Sequence, residues 1–174
     1  MGSLKIAVLG LGESLGTFEG GFDATIGVND IWQRVQTDYV VCLDKRERFT
    51  PERLAVIDAC TPRRFYTQVD EWQQRPDYVP ITLQYDYPNY VCQLAPQPFP
   101  KSLCSPFVAC AIAYKLHDAK EIHLFGVDLT NHPHLKDGSL EKIKRHFTNL
   151  QAALLPLGAR IIVHGNGILK ALNN

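Results

Sequence analysis

The feature that most restricts the fold of this chain is an alternation. Short apolar runs at residues 4–9, 25–28, 39–43, 64–67, 121–127 and 160–164 are interleaved with helical patterning at 51–60, 105–117 and 139–155. Runs this short and this continuously apolar read as strands that need cover on both faces, and a parallel sheet with helices packed above and below provides it. The expected class is therefore α/β, a Rossmann-like three-layer fold with a mostly parallel central sheet. Residues 139–155 carry the clearest helical signal, with Leu140, Ile143, Phe147, Leu150 and Leu154 on one stripe and Gly158 following as a stop.

A chain of 174 residues fits one domain, expected here over 1–174. Between about residues 75 and 104 its character changes, with Pro76, Pro80, Pro88, Pro96, Pro98 and Pro100 set among tyrosines. Because proline disrupts ladder pairing, that stretch reads as an insertion or lid outside the core. The 18 basic and 18 acidic side chains cancel, so the chain lacks the electrostatic footprint of a nucleic-acid duplex binder and leaves small anionic ligands as partners. Cys42, Cys60, Cys92, Cys104 and Cys110 are odd in number, widely spaced and mostly among apolar neighbours, which reads as reduced thiols in a cytoplasmic protein. No apolar run reaches a membrane span, and Ile6 breaks the myristoylation pattern begun by Met1-Gly2. Oligomeric state is not encoded in any of these patterns.

In open α/β sheets ligands bind beyond the carboxyl ends of the strands, where glycine turns and helix amino termini offer N–H groups to phosphate. The first strand runs into Gly10-Leu11-Gly12-Glu13-Ser14-Leu15, a turn whose backbone can come close to a ligand and whose Ser14 adds a hydroxyl. The next glycine, Gly16, falls one place late for a dinucleotide fingerprint, although Asp30 stands about twenty residues on, where a ribose-binding acid belongs. An ordinary tight turn explains the same residues. On the ligand reading, Gly12→Val removes nucleotide binding and leaves the fold intact.

Polar groups recur at later strand ends. Asn29 is placed to bond a base or ribose edge, and Asp44 to hold a hydroxyl or a metal-bound water. The following Lys45-Arg46-Glu47-Arg48 suits either phosphate or a solvated helix start. Ser105 is expected as an N-cap with Pro106 as the first helical residue, turning free N–H groups toward the same edge as Gly12. Asp128 ends the fifth run, followed by His132, His134 and, on the next helix, Arg145-His146. Their spacing fits no strong zinc signature, so no metal site is assigned. A histidine titrating near neutrality suits proton abstraction, while His146 beside Phe147 equally fits a partly buried helix position. His117 and His123 read as structural, and His164-Gly165-Asn166-Gly167 as a strand-end turn.

The glycine turn, the asparagine ending strand two, the hydroxyl opening a helix, and the alanine-rich helix leading into Lys120-Glu121-Ile122-His123-Leu124-Phe125-Gly126-Val127-Asp128 together resemble two related groups. One is the bacterial lipooligosaccharide sialyltransferases, which use a CMP-sugar donor; the other is the archaeal-type 6-hydroxymethylpterin pyrophosphokinases with their often phage-borne relatives. The resemblance is clearest from Ser105 to Asp128. It implies nucleotide contacts at Gly10, Gly12, Ser14, Asn29 and Ser105, to which the strand-end position adds Asp44, with Asp128 near the reacting groups, His146 as base, and His132 and His134 on the acceptor side. Glu13, Pro106 and the short segment after Asp128 depart from the transferase pattern. The expected activity is a nucleotide-dependent glycosyl transfer with no tightly bound cofactor, magnesium entering with the nucleotide. The alternatives are a magnesium-dependent pyrophosphokinase using Asp44 and Asp128, and a non-catalytic nucleotide-binding module.

Overall fold

The computed structural model describes residues 3–84, 98–102, 104–129 and 138–174. Its central sheet is parallel throughout, built from β1 (Lys5–Leu9), β2 (Ala24–Val28), β3 (Tyr39–Val41), β4 (Arg64–Thr67), β5 (Tyr78–Pro80), β8 (Glu121–Phe125) and β9 (Arg160–Val163) in the order β5-β4-β3-β2-β1-β8-β9. Two further short strands, β6 (Leu83–Gln84) and β7 (Phe99–Pro100), pair with each other. Among the described residues the α-helices are α1 (Pro51–Ala59), α2 (Ser105–His117) and α3 (Ser139–Leu154). From β1 the chain steps outward to β5, then returns to lay β8 on the other side of β1. The β1–β8 boundary, with Leu9 paired to Phe125, is thus the switch point at which such sheets place ligands.

Continuous apolar strands make two cores. Ile6, Val8, Ile26, Val28, Ile122, Leu124 and Val163 pack with Phe107, Val108 and Ala111 of α2 and Phe147 and Leu150 of α3. The alternate residues Ala7, Leu9, Val40, Cys42, Phe65 and Phe125 pack on the opposite face with Ile31, Ile57 of α1 and Trp72. Ala109, Ala111 and Ala113 are fully buried, and their small side chains let α2 lie close over the middle of the sheet.

Three boundaries differ from the sequence reading. The proline-rich stretch contributes β5, which pairs with β4 through Thr67 and Pro80. A proline without an N–H is tolerated there because β5 is an edge strand. Phe99 is fully buried as well, while residues 85–97 lie outside the described set. Second, Ser105 is the first residue of α2 and not its cap; Cys104 is the N-cap and offers no side-chain capping bond. Proline is acceptable at either early position, since neither N–H has an intrahelical partner, and so it does not fix the start to one residue. Third, β8 stops at Phe125 because Gly126 turns to φ 67. Among the described residues no helix is long and apolar enough to cross a membrane.

Candidate functional site

At the switch point the loops after β1 and β8 bond directly to each other. Gly10 N–H donates to Phe125 O and Gly12 N–H to Gly126 O, each at 2.8 Å. A Cβ on Gly10 would lie 2.4 Å from Gly126 O, and one on Gly126 would lie 2.2 Å from Gly10 O. Glycine is therefore required here by the approach of two backbones. At Gly12, with φ −68, no left-handed conformation is involved.

Ser14 and Asp128 complete the junction. Ser14 Oγ accepts from Gly126 N–H at 2.9 Å, and Ser14 N–H donates to Asp128 Oδ2 at 2.8 Å. The third loop, after β9, closes on the same carboxylate: a Cβ on Gly165 would stand 2.7 Å from Asp128 Oδ1, and one on Gly167 would stand 2.3 Å from Asp128 O. Asp128 is 8% exposed and joins three loops of the sheet's carboxyl edge. Substituting Gly12 does not leave the fold untouched, as the ligand reading supposes, because its Cβ would meet Asp128 Oδ2 at 2.5 Å and Gly126 O at 2.7 Å.

The turn after β2 is different. Asn29 has φ 51, a left-handed conformation uncommon for a residue with a side chain, and its N–H donates to Val41 O at 3.0 Å. Its Oδ1 is buried and accepts no hydrogen bond. An unpaired buried acceptor of this kind costs about 1 to 3 kcal/mol. The neighbouring Asp30 is not available to a ribose. Its carboxylate receives Arg53 Nε at 2.9 Å and Arg53 Nη2 at 2.6 Å, together with Gln33 Nε2.

Asp44 is half-buried beyond β3, its carbonyl accepting from Trp72 Nε1 at 3.2 Å. Arg46 from the adjoining basic run is held bidentately by Asp58 at 2.7 and 2.6 Å and lies over the Trp72 ring, while Lys45 and Arg48 are exposed. A cavity of about 560 Å³ opens beside this ion pair, lined by Arg63, Arg75 and Asp77, but it flanks the carboxyl end of α1 and not the switch point. Arg75 is committed there to Asp77 and to the Ile57 and Cys60 carbonyls.

On α3, His146 Nδ1 lies 3.2 Å from Ser102 Oγ, and its ring centroid stands 5.6 Å from that of Phe107. Burial first, then the Lys142 and Arg145 charges, push this imidazole below its ordinary value. Ser102, only 7% exposed, also accepts from Cys104 N–H at 3.2 Å, linking His146 to the start of α2 where Ser105 is buried. The imidazole and the Asp128 carboxylate are thus anchored at separate junctions, by Ser102 and Ser14. Sequence reading passed over Ser102; a serine at the end of a proline-rich stretch carries no signal of its own. His132 and His134 lie outside the described residues. The other described histidines contact neighbouring side chains: His117 Nε2 lies 3.2 Å from Tyr66 OH, and His123 Nδ1 meets His164 Nε2 at 2.9 Å beneath the stacked Phe125 ring, leaving His123 Nε2 buried without a hydrogen bond. Among the described residues no group of three or more His, Cys, Asp or Glu side chains is arranged to hold a metal ion.

No family model matches the sequence, and no curated protein matches it significantly. Solved structures do match. A variant of the sialyltransferase Cst-II in complex with CMP aligns at TM-score 0.55 and 16% identity over 97% of this chain and 84% of that one. CstII from Campylobacter jejuni with the substrate analogue CMP-3FNeuAc aligns at TM-score 0.55 and 15% identity over 97% and 83%. The chain has a sialyltransferase-like fold. At this identity the likeness extends to the path of the chain and not to its activity.

Proposed function

We propose that the protein is a nucleotide-dependent glycosyltransferase that moves a sugar from a nucleotide-sugar donor to an acceptor hydroxyl. The observation that carries this reading is the orphaned Asn29 Oδ1 at the carboxyl end of β2, on a fold shared with CMP-bound sialyltransferases. A ribose hydroxyl or an exocyclic amine of the base would donate to it. The nucleotide would lie along the edge formed by the Gly10–Gly12 backbone, Ser14, Asn29, Asp44 and the Ser105 end of α2, with His132 and His134 on the acceptor side. Asp128 acts by holding the three loops in register, and Ser14 acts with it.

His146 is the proposed base. Its neutral imidazole takes the acceptor proton as the hydroxyl oxygen bonds to the sugar's anomeric carbon; the bond from that carbon to the donor phosphate breaks, and the nucleotide departs with the electron pair. Positioning and electrostatics do most of the work in such a site. No resident cofactor is required, and magnesium would enter with phosphates.

Thermal shift with a panel of nucleoside mono-, di- and triphosphates and CMP-sugars tests the reading, since preferential binding to the folded state raises the melting temperature. At least one member should do so. In a transfer assay with the responding donor, His146→Ala should lower turnover by a factor of about 10² or more, with nucleotide affinity little changed. Absence of any shift at millimolar ligand refutes nucleotide binding altogether. Binding without transfer leaves a binding module, and a requirement for magnesium with a nucleoside triphosphate points to pyrophosphoryl transfer.

A further inference from the structure

We infer that Arg53 is a positioning residue that holds Asn29 ready for its ligand, an inference resting on the nucleotide reading above. Asn29 sits at φ 51 with its Oδ1 buried, a left-handed conformation that asparagine adopts more readily than other residues with a Cβ but that still needs support from its surroundings. It is fixed from two sides. Upstream, the Asn29 N–H is tied to Val41 O of β3. Downstream, the very next side chain, Asp30, is buried and held by Nε and Nη2 of the Arg53 guanidinium, with Gln33 Nε2 closing on the same carboxylate.

The grip comes from another element. Thr50 caps α1, and Arg53 reaches from its first turn across to the end of β2, its guanidinium carbon 5.0 Å from the Phe49 ring centre. A planar fork meeting two carboxylate oxygens sets an orientation that a point charge does not. Arg53 itself is spent on Asp30, so its influence on a nucleotide passes through the Asn29 turn. The opposing view is that the pair merely docks α1 on the sheet, in which case its loss affects stability alone.

A double-mutant cycle read by calorimetric titration with CMP separates these views. Asn29→Ala and Arg53→Met should each weaken CMP about five- to tenfold, the value of one neutral hydrogen bond. The double variant should bind no worse than Asn29→Ala alone. Arg53→Lys, which keeps the charge and loses the fork, should also weaken binding and should shift the Asn29 side-chain amide signals in the ligand-free NMR spectrum. CMP affinity equal to wild type in a destabilised Arg53→Met marks a docking pair and overturns the inference. Losses that multiply in the double variant give Arg53 an independent contact and overturn it too. If Arg53→Met does not fold, unchanged Asn29 amide signals in Arg53→Lys do the same. Failure of the wild-type protein to bind CMP or any panel nucleotide removes the functional reading itself, which is a different result from a binding wild type with an indifferent Arg53.

Discussion

Adding one methyl group at Gly12 probes the junction between the β1 and β8 loops without any ligand. The new Cβ would stand 2.5 Å from Asp128 Oδ2 and 2.7 Å from Gly126 O. Neither atom can swing aside, since Gly126 O accepts the Gly12 N–H and Asp128 Oδ2 accepts the Ser14 N–H, both at 2.8 Å. Relief therefore means prising the loops apart. Overpacking of this kind costs about 1 to 3 kcal/mol, and weakening the bond to the carboxylate adds about 1 kcal/mol. Gly12→Ala is thus expected to lose about 2 to 4 kcal/mol, which for a domain of this size lowers the melting temperature by about 4 to 16 °C. Gly16→Ala is the matched control, because a Cβ there meets nothing within 4 Å. Scanning calorimetry of both variants in ligand-free buffer makes the comparison. Equal melting temperatures for Gly12→Ala and Gly16→Ala would refute the reasoning, and Gly12 would revert to a residue kept for a ligand's sake.

Burial pushes the Cys42 and Cys104 thiols up to about 12, and Cys110 well above its ordinary 9.0. Cys60 is raised for the same reason, so a thiol reagent at pH 8 should modify at most one of the five cysteines rapidly until denaturant is added. Two or more fast thiols would contradict the packing. His117, His123, His146 and His164 are all held below 6.5, chiefly by burial. The unfolded chain then binds protons first, so their contribution is complete above about pH 6.5 and declines below it; a melting temperature that rises from pH 7 to pH 5 would be inconsistent with this. Hydrogen bonds from Arg160 and then Lys5 hold Glu121 down from 4.5 to about 2. That contribution is present above pH 4.5 and fades toward pH 2, and Glu121→Gln should match wild type at the acid end. The difference at pH 7 should be small and salt-sensitive, because Lys5 and Arg160 are 52% and 57% exposed.

Much of the architecture was legible because its signal is local. Runs such as Ile6-Ala7-Val8-Leu9 announce two-sided burial by themselves, and the α3 stripe through Phe147 and Leu150 places its own buried face. The strand hidden at Tyr78–Pro80 was not legible, since proline argues against pairing and only its place at the sheet edge cancels the objection. The site was legible in position more than in purpose. Gly10, Gly12 and Ser14 do stand at the switch point, but what they meet is a loop more than a hundred residues away, with Ser14 and Asp128 separated by 114 positions. Spacing alone offered Asp30 to a ribose; only the reach of Arg53 from α1 shows that carboxylate to be engaged.

The strand order has a consequence for how the protein is made. β1 lies inside the sheet between β2 and β8, and its second partner is synthesised after β2, β3, β4, β5 and α2 have all emerged. Until Glu121–Phe125 leaves the ribosome, the backbone of Ile6 to Leu9 presents one unpaired edge flanked by apolar side chains that end fully buried. At ordinary elongation rates that interval is roughly 6 to 25 s. For those seconds the nascent chain carries the open edge of its own future centre, exposed to the same strand of a neighbouring nascent chain, and the last third of the sequence arrives as the piece that seals it.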